Sequence, residues 1–422
     1  MNTHFQVVVI GAGPAGIAAA TAAARAGHTV ALLDDNPAPG GQIWRHGGHL
    51  PATAQARLAA LRASSAVPFY GWRVIDHPAP QVIRAEHDAG CTDLDYDRLI
   101  IATGARERFL PFPGWTLPNV CGAGGLDALV RAGLPIAGKR VVVAGTGPLL
   151  FAVAGHLAAA GAKILAICEQ APLARLAGFA GGLLTSPSRL LQGAGFGFTA
   201  RGARFHTSCW PVAAQGTTRL ESVILRKGSR EWTVPCDYLA CGFHLVPNAE
   251  LAELLGCRLD DGFVATDDLQ QTSIEDIYCA GEPTSIGGVD LALIEGEIAG
   301  LAAAGNLPQA RSLIARRNSM HGFVHALDRA CALDPQLRQL ARQETIVCRC
   351  EDVECGVLRA HDSWRSAKLH TRCGMGPCQG RVCGAAAEFL FGWTATSVRP
   401  PLFPALVSSL TAAIPQDPKE NV

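Results

Sequence analysis

The chain lacks an excess of charge of either sign. Its 422 residues contain 36 Lys and Arg against 36 Asp and Glu, and basic residues never occur five in a row. Binding to a polyanion relies on a basic patch or stripe, which this composition does not offer. The charge balance therefore argues against nucleic acid as a partner.

Long uninterrupted apolar runs and a secretory leader are also missing. Hydrophobic residues make up 49% of the chain, but the Ala- and Gly-rich stretches are interrupted by charges such as Arg25, Lys139 and Arg140. A membrane-spanning helix needs about 20 consecutive, mostly apolar residues. No cationic segment precedes the first apolar stretch, and that stretch leads into a glycine motif instead of a cleavage site. We expect no transmembrane segment and a cytoplasmic location.

Residues for acid-base or dithiol catalysis are sparse. The thirteen histidines are scattered along the chain, and none is paired with a nearby acid in a recognisable motif. A disulfide reductase needs a Cys pair beside its flavin, and the stretch after Gly41 has none. Cys236 and Cys241 have a usable spacing but fall where a buried strand should leave the second domain. We therefore predict no catalytic residues.

A glycine motif follows the first predicted strand. Residues 5–10 (FQVVVI) predict a strand, and Gly11, Gly13 and Gly16 precede an alanine-rich helix. In such a motif the three glycines permit a tight turn, the approach of backbone to a pyrophosphate, and close helix-strand packing. The next predicted strand ends at Asp34, which can accept hydrogen bonds from a ribose. The pattern favours a dinucleotide-binding unit over an ordinary glycine turn.

Two further strand-and-turn segments support this interpretation. Residues 98–105 (RLIIATGA) contain Thr103 and Gly104, and residues 274–282 (IEDIYCAGE) end on Gly281 and Glu282. Both segments resemble supporting motifs of the glutathione-reductase-like flavoproteins with two dinucleotide domains. The resemblance implies that the late acid lies near the flavin, although Glu282 stands where Asp is more usual. Taken singly, each segment could be only a buried strand with a turn.

A second strand-glycine-helix-strand unit begins at residue 140. It contains Gly145 and Gly147, and its second strand ends at Glu169. Leu150 occupies the place of the third glycine, where a bulky side chain interferes with helix-strand packing. Glu169 suits an unphosphorylated ribose, so NADH binding is one interpretation. The other is a Rossmann domain kept for architecture or for another nucleotide.

Cysteines are concentrated in a glycine-rich segment from Cys348 to Cys383. Clustering of this kind favours metal ligation in a reducing compartment over disulfide bonding. A two-iron cluster needs four thiolates on a backbone that can offer N–H groups to the sulfurs. Zinc is the alternative, but the pair Cys348-Arg-Cys350 is too tightly spaced to supply two ligands to one tetrahedral ion. The spacing favours a 2Fe-2S cluster.

Several longer strings resemble the alpha subunits of heteromeric FAD-dependent amino-acid and opine dehydrogenases, a family with members in D-hydroxyproline dehydrogenase, opine oxidase, L-proline dehydrogenase and hydrogen cyanide synthase. The matching strings are residues 39–44, 145–150, 242–248, 280–283, 287–293, 295–296 and 374–381. The tail resembles a bacterioferritin-associated-ferredoxin-like 2Fe-2S domain. Leu150 is shared by the family, which points to a lost nicotinamide role.

The resemblance implies an α/β fold, namely a glutathione-reductase-like flavoprotein with two FAD/NAD(P)-binding Rossmann-type domains and a small helical 2Fe-2S domain at the C-terminus. The expected division is an FAD-binding domain at 1–115 and 262–305, a second Rossmann domain at 116–261, a helical linker at 306–342, the 2Fe-2S domain at 343–395 and a proline-rich tail at 396–422. We expect residues 398–404 (VRPPLFP) to be extended and to dock on a partner, or else to form a disordered terminus.

The resemblance also implies cofactors and partners. It makes Cys348, Cys350, Cys378 and Cys383 the cluster ligands and leaves Cys355 and Cys373 spare, with Cys373 doubtful because it lies in the same loop. The expected cofactor-binding residues are Gly11, Gly13, Gly16, Asp34, Gly41, Gln42, Thr103, Gly104, Gly145, Gly147, Glu169, Gly281 and Glu282.

Electrons would arrive from a glycine-oxidase-like FAD beta subunit and leave to an electron acceptor, through FAD, the cluster and an interfacial FMN. A self-contained NAD(P)H-dependent reductase and a scaffold holding a nucleotide such as ATP are the alternatives.

Overall fold

The computed structural model describes residues 3–44, 50–183, 202–394 and 398–412. By their internal contacts the residues form two units. The first comprises Met1–Ala105, Pro247–Val324 and Thr396–Val422, and the second comprises Arg106–Val246 and His325–Ala395. These units do not test the finer domain boundaries expected from the sequence, which stay predictions.

The described strands, in chain order, are β1 (His4–Ile10), β2 (Val30–Asp34), β3 (Val67–Tyr70), β4 (Arg73–Ala79), β5 (Val82–His87), β6 (Gly90–Ile101), β7 (Ala105–Glu107), β8 (Val120–Gly122), β9 (Arg140–Thr146), β10 (Lys163–Glu169), β11 (Arg204–Thr207), β12 (Cys209–Gln215), β13 (Ser222–Lys227), β14 (Arg230–Pro235), β15 (Tyr238–Phe243), β16 (Leu245–Pro247), β17 (Leu259–Asp260), β18 (Phe263–Val264), β19 (Ile277–Cys279), β20 (Ile346–Cys348) and β21 (Val353–Glu354).

The described α-helices are α1 (Pro14–Arg25), α2 (Gly41–Trp44), α3 (Ala52–Arg62), α4 (Ala123–Arg131), α5 (Leu149–Ala159), α6 (Leu173–Leu183), α7 (Glu250–Leu254), α8 (Gly288–Ala303), α9 (Leu307–Cys331), α10 (Cys355–Leu358), α11 (Trp364–Thr371), α12 (Cys383–Phe391) and α13 (Val407–Leu410), with a 3-10 turn at Pro335–Gln339.

The first unit is built on one large sheet. Its strand order is β3-β2-β1-β6-β5-β4, and β19 also pairs with β6. Strands β1, β2, β3, β6 and β19 run parallel, so their carboxyl ends share one edge. Strands buried on both faces read as continuous apolar runs, as in Val7 to Ile10. Ligands of such sheets bind beyond the carboxyl ends of the strands, which fixes where the nucleotide edge must be.

Helix α1 packs closely against α8 across small residues. A Cβ atom on Gly296 of α8 would overlap the backbone carbonyl of Ala15 in α1, and a Cβ on Gly300 would overlap that of Ala19. The alanine-rich α1 therefore lies almost backbone to backbone with α8. This contact completes a core whose larger members include Ile17, Leu32 and Ile298.

The second unit repeats the parallel arrangement. Its five-stranded sheet has the order β11-β10-β9-β15-β8, and every pairing in it is parallel. A three-stranded antiparallel sheet, β12-β13-β14, packs beside it through Cys209, Val223 and Leu225. The fold predicted from the sequence, an α/β flavoprotein with two Rossmann-type sheets, is confirmed.

The cysteine segment forms a small helical module within the second unit. Its core contains Val347, Leu358 and Ala367 together with several of the cysteines. The module contacts the rest of its unit through Trp115, whose indole N–H donates to the carbonyl of Ile346 over 2.6 Å. A second contact runs from the Arg106 guanidinium to the carbonyl of Arg381 over 3.2 Å.

The proline-rich segment packs against the first unit. The Leu402 N–H donates to the carbonyl of Ile75, and the Leu406 N–H donates to the Glu86 carboxylate, both over 2.8 Å. Arg84 is 3% exposed and its guanidinium donates to the carbonyl of Ser409 over 3.2 Å. Residues 398–412 are thus held by the chain itself, and contact of this segment with a partner stays a prediction.

Candidate functional site

Four of the predicted nucleotide-binding elements meet at one edge of the first sheet. Gly11 follows β1, Asp34 ends β2, Thr103 follows β6 and Gly281 follows β19. Because these neighbouring strands run parallel, their carboxyl ends bring the four residues to the same side. This edge is where an α/β sheet binds a nucleotide.

Asp34 is buried against the glycine loop. Its Oδ2 accepts a 2.6 Å hydrogen bond from the Ala12 N–H, and its Oδ1 accepts from the Asn36 N–H over 2.8 Å. The side chain is only 7% exposed, and desolvation by this burial raises the pKa of the carboxyl, against the lowering effect of the N–H donors. The acid is therefore held in place by backbone groups before any ribose hydroxyl reaches it.

The loop that carries Gly41 and Gln42 lies beside the same glycines. The Gly40 N–H donates to the carbonyl of Ala12 over 2.8 Å, and a Cβ on Gly41 would come within 2.8 Å of the Cα of Gly13. Gln42 follows on the exposed side of α2. Gly16 lies one turn into α1, where a Cβ would overlap the Gly11 carbonyl.

Thr103 and Gly104 form a turn held by one residue from a distant part of the chain. The Thr103 hydroxyl donates to the Asn248 carbonyl over 2.6 Å, and the Asn248 amide donates back to the Thr103 carbonyl over 3.0 Å. The Asn248 N–H also donates to the carbonyl of Gly104. Asn248 lies in residues 242–248, one of the strings that resemble the dehydrogenase subunits. Its hydrogen bonds to the Thr103 turn are visible only in the fold.

Gly281 and Glu282 are positioned by α8. The Gly281 N–H donates over 2.8 Å to the carboxylate of Glu295, which also accepts from the Thr284 hydroxyl. Glu282 accepts from the Gly288 N–H over 2.9 Å. Glu295 is 2% exposed, so a buried acid fixes the turn that the sequence predicts beside the flavin. Glu295 lies in one of the strings that resemble the dehydrogenase subunits, but the sequence did not predict this role for it.

The second glycine loop has its own buried acid. Glu169 ends β10, and its carboxylate accepts from the Gly147 N–H and the Thr146 hydroxyl, both over 2.7 Å. Gly145 precedes these residues at the end of β9. Burial raises the pKa of Glu169, against the lowering effect of its donors. The structure therefore brings Gly145, Gly147 and Glu169 together, with the Glu169 carboxylate bound to the glycine loop.

Three cysteine sulfurs converge in the tail module. The Sγ atoms of Cys348, Cys373 and Cys383 all lie within 4.8 Å of one another, and all three side chains are buried. Cys348 comes from the end of β20, Cys373 follows α11 and Cys383 begins α12. A small ion or cluster could be bound where these elements meet.

The remaining two cysteines of the group extend this arrangement. The Cys350 and Cys378 thiols are in hydrogen-bonding contact, and Cys378 also contacts Cys383. Cys348 contacts Cys383 in turn. Cys373 contacts both Cys348 and Cys383. The contacts therefore join five thiols into one group, which has enough thiolates for a centre of two metal ions with two thiolates each.

Backbone N–H groups point at these sulfurs. The pKa of the Cys348 thiol is lowered to about 2, mainly by its contacts with Cys373 and Cys383. The backbone N–H groups of Gly374 and Glu351, which donate to the Cys348 sulfur, lower it further. Cys383, and after it the backbone of Val382, lowers the pKa of Cys378 to about 5. Thiolates are the form that ligates metals, and N–H donors to sulfur are typical of iron-sulfur sites.

The two cysteines expected to be spare behave differently. Cys373 lies against the Cys348–Cys383 pair, and its contact with Cys348 raises the pKa of the Cys373 thiol to about 12. Cys355 is buried apart from the group, where the Arg359 guanidinium donates to its sulfur over 3.4 Å. The doubt raised about Cys373 is therefore justified by its position, and the assignment of ligands stays a prediction.

The comparisons with known proteins agree with these sheets. The family model described as pyridine nucleotide-disulphide oxidoreductase matches residues 5–304. The chain belongs to this family. It is an oxidoreductase, and the family implies FAD binding. None of the helices within the described ranges has the length and apolarity needed to cross a bilayer.

Curated relatives share most of the chain's length. Hydrogen cyanide synthase subunit HcnB of Pseudomonas aeruginosa is 31% identical, covering 90% of this chain and 91% of that protein. An opine oxidase subunit of Rhizobium meliloti is 32% identical, covering 95% of this chain and 97% of that protein. The predicted kinship with these subunits is confirmed, and it supports a flavin oxidoreductase role for this member of the family.

Solved structures show the same fold. The L-proline dehydrogenase from P. horikoshii superposes with a TM-score of 0.68 at 17% identity, over 97% of this chain and 80% of that one. The T. acidophilum thioredoxin reductase superposes with a TM-score of 0.56 at 21% identity, over 72% of this chain and 99% of that one. The second match leaves out much of this chain, which places part of it outside the fold shared with the reductase.

Proposed function

We propose that this chain is the electron-transfer subunit of a heteromeric flavin-dependent dehydrogenase that oxidises an amino acid, an imino acid or an opine. The observation that carries the proposal is the group of neighbouring cysteines in the tail module of a chain whose relatives are named as subunits of hydrogen cyanide synthase and opine oxidase. FAD in the first unit and a cluster in the tail module would give this chain two redox groups through which electrons could pass.

The first unit supplies the residues that would hold FAD. The α1 N-terminus and the Gly11–Gly16 loop would face the pyrophosphate, Asp34 would accept from a ribose hydroxyl, and the Gly281 turn fixed by Glu295 would adjoin the flavin. Flavins exchange electrons singly or in pairs, whereas a 2Fe-2S cluster accepts one at a time. FAD in this unit would therefore suit a chain that converts one delivery mode into the other.

The tail module supplies the residues that would hold the cluster. Cys348, Cys350, Cys378 and Cys383 would ligate the two irons. Their N–H donors stabilise negative charge on the sulfurs and thereby raise the reduction potential of a bound centre. Cys350 is the exposed member, so the side of the module where it lies offers a route for electrons to leave.

The oxidation of substrate would take place on a partner. Beside the Gly281 turn, His321 lies 3.9 Å from the carboxylate of Glu295. That acid is buried and already accepts from Gly281 and Thr284, so its role is to hold the turn and not to move a substrate proton.

The function also requires partners. We propose a glycine-oxidase-like flavoprotein as the beta subunit, with an FMN at the interface of the two chains and a separate electron acceptor. We propose that the complex is cytoplasmic and that this chain has the domain limits expected from the sequence.

The test is anaerobic co-expression with a glycine-oxidase-like flavoprotein from the same organism. The purified complex should contain FAD, about two irons and two acid-labile sulfides per copy of this chain, and should give a reduced-cluster electron paramagnetic resonance signal when proline, hydroxyproline or an opine is added. Reduction of the isolated chain by NADH at a comparable rate would instead establish the self-contained reductase. A complex with no iron and no sulfide would overturn the relay.

A further inference from the structure

The second Rossmann unit has both carboxylate oxygens of its acid occupied by its own chain. Glu169 Oε1 accepts from the Thr146 hydroxyl over 2.7 Å and from the Ala171 N–H over 2.8 Å, and Oε2 accepts from the Gly147 N–H over 2.7 Å. The side chain is 1% exposed. In an NAD-binding unit this acid accepts from the adenosine ribose, and here the carboxylate is buried by its own chain.

The acid of the first unit also accepts from its own chain on both oxygens, but it is tied to its glycine loop at a different position. This acid, Asp34, reaches Ala12, the residue directly after the first glycine. Glu169 reaches one residue further along the corresponding loop, to Gly147, and binds the Thr146 side chain on the way. The second acid thus lies over the glycine loop, where the backbone of a binding unit must approach the pyrophosphate.

The segment Cys331–Asp334, which begins at the last residue of α9, packs beside this acid. Gln170, which is 0% exposed, donates from Nε2 to the carbonyls of Cys331 over 3.4 Å and Ala332 over 3.2 Å. Its Oε1 accepts from the Asp334 N–H over 2.9 Å. The Gln170 amide therefore binds the segment with both its nitrogen and its oxygen.

Two further contacts seat the same segment on the loop. The Arg175 guanidinium donates to the Ala332 carbonyl over 2.8 Å. A Cβ placed on Gly147 would come within 3.6 Å of the Cys331 sulfur. Cys331 is 3% exposed, so the second glycine faces a buried thiol and not an open cleft.

We infer that the second dinucleotide fold is closed by its own chain: Cys331–Asp334 occupies the ribose side of the Gly145–Gly147 loop, and the unit accepts neither NADH nor NADPH. The fold serves instead as a binding surface, here called the socket, for the segment Cys331–Asp334 that leads toward the cysteine module. The residues do not fit the pyridine nucleotide that the family description implies. The inference stands whether or not the partner-dependent relay is correct.

Titration of the purified full-length chain, alone and in complex with any partner that co-purifies, with NADH and with NADPH tests this inference. We expect no saturable fluorescence quenching up to millimolar nucleotide, and hydrogen-deuterium exchange of residues 331–334 that the nucleotide leaves unchanged. Saturable binding, with faster exchange in this segment as it is displaced, would overturn the closed site. Failure of an imino acid or opine to reduce the same complex would count against the relay alone.

A pair of glutamine variants tests the socket directly. Gln170→Ala removes the amide that binds the segment, and we expect exchange of residues 331–334 to accelerate by about tenfold. Gln339→Ala, at an exposed position in the following 3-10 turn, should leave this exchange unchanged. Equal exchange in both variants would refute the socket. Should Gln170→Ala fail to fold, the wild-type titration still decides whether the site is closed.

Discussion

The carboxylate of Asp34 lies 2.6 Å from the backbone nitrogen of Ala12 and accepts its hydrogen bond. The end of β2 is thereby tied to the turn after β1, at the edge where we propose that FAD binds. A carboxylate held in this way is oriented before the nucleotide arrives, because its rotamer is fixed by the backbone and by burial. This tie gives the first prediction.

Replacing Asp34 with Ala should weaken FAD binding by roughly 10- to 100-fold, since a hydrogen bond to a charged group contributes about 1.5–3 kcal/mol. The measurement is FAD content after purification, together with the dissociation constant from flavin fluorescence. Asp35→Ala is the matched control, because this neighbouring acid is exposed and pairs with Arg73. Equal FAD content in the two variants would show that the first loop does not hold the nucleotide.

Single Cys→Ala changes at the four predicted ligands should each abolish the cluster. Loss of any one of Cys348, Cys350, Cys378 or Cys383 leaves an iron without its full set of thiolates, so iron and acid-labile sulfide should fall from about two per chain to near zero. Cys355→Ala is the control, since this buried thiol lies apart from the group. Full iron content in Cys350→Ala would reject the exposed thiol as a ligand.

Cys373 requires its own variant because it contacts the Cys348–Cys383 pair. If it is only a neighbour of the cluster, Cys373→Ala should keep both irons and both sulfides while shifting the g-values of the reduced state. If it replaces a predicted ligand, iron content should collapse as in Cys348→Ala. Metal analysis and electron paramagnetic resonance on the same anaerobic sample separate these outcomes.

The iron-free chain should show one unusually acidic, partly exposed thiol. The pKa of Cys378 is lowered to about 5, chiefly by Cys383. A lowered pKa means that the thiolate predominates above that pH, so iodoacetamide should already label Cys378 at pH 6 and lose reactivity as the pH falls through 5. Mass spectrometry of the labelled peptide gives the midpoint, and Cys378→Ser should lack the label. A midpoint near the ordinary thiol value of about 8.5 would contradict the contact network.

The close approach of α1 and α8 predicts a loss of stability on enlarging Gly296. Gly296→Ala places a methyl group against the Ala15 carbonyl, and overpacking of this kind costs about 1–3 kcal/mol of unfolding free energy. Gly322→Ala, in α9 with open space around the added methyl, should instead be neutral or stabilise by up to about 1 kcal/mol. Thermal unfolding of the two variants compares them, and a Gly296→Ala midpoint equal to wild type would contradict the helix contact.

Much of the nucleotide edge could be predicted from the sequence because its signals are local. The apolar strand, the glycine loop and the acid at the end of the next strand all lie between Phe5 and Asp34, and the structure places Gly11, Gly13 and Asp34 together. Spacing was sufficient there, since the turn and helix that join two parallel strands fix their ends relative to each other. The strand that precedes Gly281 was predicted from a resemblance, and its pairing with β6 is visible only in the fold.

Long-range positions could not be predicted in this way. Asn248 clamps the Thr103 turn and Glu295 fixes the Gly281 turn through contacts that depend on which strand and which helix become neighbours. Leu150 indicated from the sequence that the second unit has lost a nicotinamide role, but nothing near Glu169 in the chain signals that Cys331–Asp334 will return to it.

The sequence by itself determined the kind of protein this is: two Rossmann-type units, a cysteine-rich module and the kinship with dehydrogenase subunits, all written in contiguous motifs whose backbone requirements are local. Tertiary structure alone decided which thiols meet, which acid holds each turn and which segment lies beside the second glycine loop. Those outcomes depend on packing and hydrogen bonds between segments far apart in the chain, and only the complete fold satisfies them together.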